Sequence, residues 1–376
     1  MKRVLLGSTA LVAAGMACGT AAAADGVELE ISGRYMATAG VVFGEDFSAS
    51  SGIVDSGVRN YVFKQDVEVD FSGEATLDNG LTVGALIRLE GQTEEDDQID
   101  KVYAYFSGGF GEIRFGDLEE AYAQLCYLVP SASELFGADS PNFNFSNAGA
   151  AGYAGTNGTC YGLDDNSTKV VYFSPVFGGF QFVASFTPDN TEDTRNFVDG
   201  VGTRLKNDDE QNSENLSAGA TFQHDFNNVN LVVGGGLTHS FLKEVNPNNV
   251  DPASSYNAYA QVGFAGFTIG VASEWRENFG ETSADQWVYG AGAKYNWDVW
   301  TVAFGWTHGD YEKAVGNNDV GPFNANHDIF SLTASYELAE GISVDGVVEY
   351  SRYRSRDAAG PDYEGLAVGL GTYISF

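Results

Sequence analysis

The stretch Tyr363–Phe376 alternates in kind. Counting back from Phe376, Ile374, Thr372, Leu370, Val368 and Leu366 share one face, and Ser375, Tyr373, Gly371, Gly369 and Ala367 share the other. One face is branched and apolar, the other small and mildly polar. That is the period-two pattern of a strand whose faces meet different solvents. A strand of a soluble sandwich also has one dry face. Recurrence of the pattern along the chain, and its stop on the aromatic Phe376, favour a barrel in lipid with Phe376 as the barrel-closing terminal residue. In such a barrel the apolar face looks outward and the small, polar face looks into the lumen.

The alternation begins at Val27. Val27, Leu29, Ile31, Gly33 and Tyr35 oppose Glu28, Glu30, Ser32 and Arg34. Next, Tyr61, Phe63, Val67, Val69 and Phe71 oppose Lys64, Asp66, Glu68 and Asp70, a density of charge that a dry core does not hold. Asp78-Asn79-Gly80 predicts a tight turn, because Asn and Gly tolerate positive φ. A third strand puts Leu81, Val83, Ala85, Ile87 and Leu89 outside, with Thr82, Arg88 and Glu90 inside. Strands near 99–106 and 112–116 follow. Eleven more lie near 167–174, 180–187, 215–223, 229–240, 256–264, 267–275, 286–295, 299–307, 328–338, 342–353 and 363–376. Seven short connections alternate without exception with eight long ones. An even set of antiparallel strands closes without an exposed edge and sorts its loops by length to two rims. The predicted fold is all-β: a 16-stranded antiparallel transmembrane β-barrel with short periplasmic turns, long extracellular loops and an inward-folded loop after strand 5. Trp287, Tyr289, Tyr295, Trp300, Phe304 and Trp306 share the outward parity, several near strand ends, where amphipathic rings favour the membrane boundary.

Composition agrees. The chain of 376 residues has 47 Gly and only 8 Pro, which suits strands joined by turns. Lys2 and Arg3, an apolar run from Val4 to Ala17 and Ala22-Ala23-Ala24 read as a signal peptide over 1–24, leaving 25–376 as the barrel. Cys18 raises a lipid-anchored alternative, in a poor context for it. Beyond residue 24 no apolar run reaches the ~18 residues that a transmembrane helix requires, a test to which alternating strands are invisible. Loss of Lys2 and Arg3 leaves 17 of the 19 bases against 52 carboxylates. That excess excludes a nucleic-acid partner, which needs a basic footprint. Glu94-Glu95-Asp96-Asp97 and Asn207-Asp208-Asp209-Glu210 carry oxygen ligands suited to loop-bound Ca2+, without the spacing of a known calcium loop. No other cofactor or metal is expected.

The connection at 117–166, about fifty residues, is long enough to expect a function of its own. It holds Glu119, Glu120, Glu134 and Asp139. Cys126 and Cys160 fall inside it; an even pair in an exported chain predicts a disulfide, two free thiols being the alternative. Such a lobe can fold inward and narrow a channel, or lie over its mouth. Arg34, Lys64, Arg88, Lys101, Arg114 and Lys169 lie one on each of the first six strands, all with lumen parity. They are expected to form a pore-lining basic wall opposite the acidic lobe, with a transverse field that admits small polar solutes. The alternative is that they neutralise lumen carboxylates such as Asp66, Glu68, Asp70 and Glu90.

At this point SGGFGEIRFGD (107–117), KVVYFSPVFGGFQFVASF (169–186) and the terminal YISF resemble the general diffusion porins of Gram-negative bacteria, most of all those of alphaproteobacteria. The resemblance implies a sixteen-stranded homotrimer in the outer membrane, surrounded by lipid and lipopolysaccharide. It also implies an eyelet loop after strand five, and passive diffusion of small hydrophilic solutes and ions. A substrate-selective channel, for example for sugars, is the alternative; it requires an aromatic track, and the inward Tyr103, Tyr105, Tyr259 and Tyr353 are scattered. A barrel enzyme is disfavoured, because His224, His239, His308 and His327 lack a nucleophile partnered with a base.

Overall fold

A computed structural model describes residues 26–44, 60–91, 98–140, 157–164, 166–189, 212–243, 252–279, 284–314, 323–357 and 362–376. Sixteen strands run β1 (Glu28–Gly44), β2 (Tyr61–Thr76), β3 (Thr82–Glu90), β4 (Ile99–Gly108), β5 (Gly111–Leu118), β6 (Ser167–Phe173), β7 (Phe180–Asp189) and β8 (Asn212–Phe226). They continue as β9 (Val229–Lys243), β10 (Ser254–Phe264), β11 (Phe267–Phe279), β12 (Ala284–Trp297), β13 (Trp300–Ala314), β14 (Phe323–Ala339), β15 (Ile342–Ser355) and β16 (Asp362–Ser375). Each pairs antiparallel with its sequence neighbour, and β1 pairs β16 from Arg34↔Ser375 to Gly44↔Gly365, closing the sheet. Beyond that register Phe376 and Gly33 exchange both backbone hydrogen bonds, at 2.8 and 3.1 Å, so the last residue completes the seam.

Side-chain exposure follows the expected parity. On β16 Leu370 is 64% exposed while Ala367 is 3%. Aromatic rings gather at two levels of the outer face. Near the short turns lie Phe264, Phe267, Tyr295, Trp297, Trp300 and Tyr336; toward the long loops lie Trp275, Trp287, Tyr289, Trp306, Phe330 and Tyr350. Trp287 and Tyr295 are eight positions apart on β12, about 27 Å of extended strand, or ~21 Å along the membrane normal at a ~40° tilt. This is close to the apolar band of ~25 Å expected of outer-membrane barrels.

The short turns follow residue chemistry. Gly80 (φ +81°) closes Leu77–Leu81, with Asn79 Oδ1 accepting from Leu81 N at 3.1 Å. Asn227 and Asp298 take positive φ in other two-residue turns. Several strands outrun their predicted ends: β8 begins at Asn212 and β14 at Phe323. Above the membrane both faces are wet, so pairing continues after the two-faced pattern has stopped. The predicted leader 1–24, Cys18 and the acidic runs 94–97 and 207–210 lie outside the described residues.

Candidate functional site

The connection after β5 lies inside the barrel. Its described parts, 119–140 and 157–164, form a lobe with one 3-10 turn, Ala123–Leu125. Cys126 and Cys160 are disulfide-bonded, Cα atoms 5.9 Å apart. The lobe is seated on the inner face of β7 to β16. The inward positions there are glycines where it comes closest. A Cβ at Gly236 would stand 2.3 Å from the Cβ of Tyr122, one at Gly292 2.7 Å from Val129, and one at Gly371 2.7 Å from Leu135. Side chains on that wall would hold the lobe off it.

Two buried charged clusters fix it there. Glu274 on β11 is 1% exposed. It accepts hydrogen bonds from Tyr122 Oη (3.0 Å), Ser255 Oγ (2.8 Å), the backbone of Tyr161 and Gly162 (3.0 Å each) and Arg276 Nε (3.1 Å). Asp164, at the end of the lobe, pairs with Lys169 at 2.9 Å and accepts from Thr187 at 2.7 Å. A third attachment is apolar: Leu135 and Phe136 pack with Met36, Val42, Val347 and Ala367, so the tip reaches β1.

The other wall, β1 to β5, leaves most of its charges partly exposed, with Glu68 buried among them. Arg34 pairs with Glu68, and with Asp66 at 3.6 Å; its side chain stays 32% exposed. Arg88 bridges Asp70 (2.7 Å) and Glu68 (3.0 Å) and lies 3.9 Å from Asp100. Lys101 pairs with Glu119 at the root of the lobe, and Arg114 with Glu112 at 2.6 Å. Lys64 stands further along β2, opposite Thr38. Asp66, Glu68 and Glu90 bring carboxylate oxygens within 4.8 Å of one another, a spacing one hard cation could bridge.

Two expectations change. Lys169 is 1% exposed and belongs to the lobe's attachment, not to the pore surface. Of the four loop acids, Glu120 (0% exposed) and Asp139 (4%) are turned into the lobe. Glu120 accepts from the backbone of Leu163 and Asp164, Asp139 from Val129 N, Thr159 N and Thr159 Oγ1. Glu119 lies against the wall, and Glu134 faces a cavity of about 270 Å³ beside Lys294 and Tyr373. A basic patch facing an acidic lobe is therefore replaced by a ladder of ion pairs along one wall. The reason is partly register: Arg34 sits opposite Glu68 and Arg88 opposite Asp70, at cross-strand distance, while Lys101 takes Glu119 of the lobe and Arg114 takes Glu112 of its own strand.

The anchoring residues Tyr122, Asp164, Glu274 and Arg276 were not singled out from sequence. A signal existed: Gly219, Gly236, Gly270, Gly290, Gly292, Gly305 and Gly371 all carry lumen parity on the later strands.

A family profile described as Gram-negative porin matches residues 7–357. No curated protein matches the chain by sequence. Among solved structures, the chain is similar to an anion-selective porin from Comamonas acidovorans, at 12% identity and TM-score 0.56, over 93% of this chain and 100% of that one. It is similar to OmpT, an outer membrane protein of Vibrio cholerae in a trimer form, at 15% identity and TM-score 0.56, over 94% and 100%. A mutant of the Rh. blastica porin gives 13% identity and TM-score 0.55, over 93% and 100%. At these identities the structures speak for the fold, and the match over 7–357 speaks for the family. With a closed sixteen-strand barrel, an outward apolar band and a wet charged lumen, the chain belongs to the Gram-negative porins, the outer-membrane channels of passive diffusion.

Proposed function

We propose that small hydrophilic solutes and ions pass between the lobe and the β1–β5 wall, and that this wall favours cations. The observation that carries the reading is the contrast between the two walls. The lobe buries Glu274 and Arg276 of the far wall, whereas on β1–β5 the side chains of Arg34, Arg114 and Glu112 stay partly exposed, with Glu68 buried between them. Arg34, Lys64, Arg88, Lys101 and Arg114 stand there with Asp66, Glu68, Asp70, Glu74, Glu90, Asp100 and Glu112. The bases are outnumbered, and most are paired, so the field left over in the gap is negative. Glu119 at the lobe root adds to it.

The reading involves no catalysis, only geometry and charge. OmpT is described in a trimer form, and a homotrimer is the assembly proposed for this chain. Residues 1–24 are proposed to be removed on export, and the acidic outer loops to meet lipopolysaccharide through divalent cations. The test is the reversal potential of purified, folded protein in a planar bilayer across a salt gradient. Ohmic steps with the sign of cation preference support the reading. Anion preference overturns the charge assignment and leaves the channel standing.

A further inference from the structure

Four inward tyrosines have separate fates. Tyr259 is 4% exposed and donates to Leu125 O at 2.6 Å; Tyr353 is buried on the covered wall. Tyr103 and Tyr105 are on β4, in the uncovered wall, half-buried, with ring centroids 6.5 Å apart and ring planes tilted by 53°. Tyr105 lies flat on Gly84, where a Cβ would stand 2.3 Å from its Cζ. Its hydroxyl donates to Glu74 at 2.6 Å. The guanidinium of Arg114 lies 5.3 Å from the Tyr103 ring and 4.6 Å from that of Phe173. Arg114 also donates to Glu112 (2.6 Å) and to Gln124 Oε1 (2.8 Å), so the 3-10 turn of the lobe borders the same spot.

Tyr105 forms an aromatic platform, with the inclined Tyr103 ring beside it and a fringe of carboxylate, amide and guanidinium. The Tyr105 ring, held against the backbone of Gly84, offers a fixed apolar face at little entropic cost. The fringe offers both donors and acceptors, and its one guanidinium is already paired, so it suits hydroxyl groups better than a lone ion. Neighbouring inward positions on these strands, Ser72, Thr82 and Ser107, are small hydroxyls, which a wet wall requires no more of.

We propose that Tyr103 and Tyr105 form a binding subsite for neutral pyranose sugars in the pore. The sugar's C–H face stacks on the Tyr105 ring with Tyr103 at its edge, and its hydroxyls exchange hydrogen bonds with Glu74, Glu112 and Gln124. The proposal rests on the channel reading and narrows its solute class. The test is ion current through the full-length protein in planar bilayers, titrated with maltotriose and, in parallel, with a polyethylene glycol of similar size. The wild type is expected to show a saturable loss of current with the sugar and a linear, viscosity-like loss with the glycol. Tyr105→Ala is expected to raise the half-saturating concentration by about fivefold, as loss of one stacking face implies, with ohmic salt steps retained. Tyr105→Phe, which keeps the platform, is expected to remain within about twofold of wild type. A linear sugar response in the wild type, or a Tyr105→Ala variant that conducts and titrates as wild type does, overturns the subsite and leaves the channel intact. Absence of salt steps from folded wild type overturns both.

Discussion

Glu274 is a buried carboxylate on which the lobe's attachment converges. Five donors meet its two oxygens, one of them the guanidinium of Arg276. Replacing it by Ala leaves Arg276 buried and uncompensated, at a cost of about 3–5 kcal/mol. The outer barrel does not depend on that contact, so the loss should fall on the lobe. Glu274→Ala should still migrate as a folded, heat-modifiable barrel, with noisier channels and faster proteolysis of the lobe; quiet channels and a protected lobe would contradict the assignment. Asp139 adds a dependence on pH. Burial pushes its carboxyl up to about 7, against the hydrogen bonds from Thr159 and Val129 that favour the charged form. A carboxyl raised on folding holds its proton more tightly in the folded state. Its contribution is full below its ordinary 3.8 and is lost as pH rises through about 7. Amide exchange of the lobe, corrected for intrinsic rate, should therefore lose up to about a hundredfold in protection between about pH 5 and about pH 8, and Asp139→Asn should flatten that trend. A flat wild-type profile would remove Asp139 from the account.

Single strands were the most legible elements, because each carries its two solvents in its own alternation. The order of β1 to β16 and the side chosen by Arg34, Arg88 or Leu370 could all be read that way. Leu370→Arg tests the reading directly. Facing lipid, it should cost about 2–4 kcal/mol in reversible folding into vesicles, and a neutral outcome would place Leu370 against protein or water. The lobe was legible in its existence and not in its contacts. Parity states which face a residue is on, but not what later covers that face. Lys169 has lumen parity and is nonetheless buried beside Asp164, and Glu120 and Asp139 read as acids of a wet loop and instead accept backbone hydrogen bonds. The disulfide closes a separation of 34 residues, so removing it should cost the lobe about 3–4 kcal/mol. The attachments at Glu274 and Asp164 do not involve it. Reduced protein, or Cys126→Ser with Cys160→Ser, should keep the wild-type conductance step; a changed step would mean that the disulfide sets the width of the gap.

At the scale of the molecule, the barrel divides its labour by sector. The strands β6 to β16 hold the lobe through glycines and the buried pairs Asp164–Lys169 and Glu274–Arg276, and β1 to β5 present charge to the gap. On the proposed reading, sector charge gives this channel a preference for cations, carried by a ladder whose bases are already partnered. Neutralising Arg34, Arg88 and Arg114 together should leave Glu68, Asp70 and Glu112 without their partners and shift the reversal potential further toward cations. No shift would remove these arginines from the pore surface. The most direct measurement is the current–voltage relation of the purified wild type in a planar bilayer under a tenfold KCl gradient. The account expects ohmic unitary steps and a reversal potential displaced toward that of K⁺. Folded protein that produces no steps would contradict it.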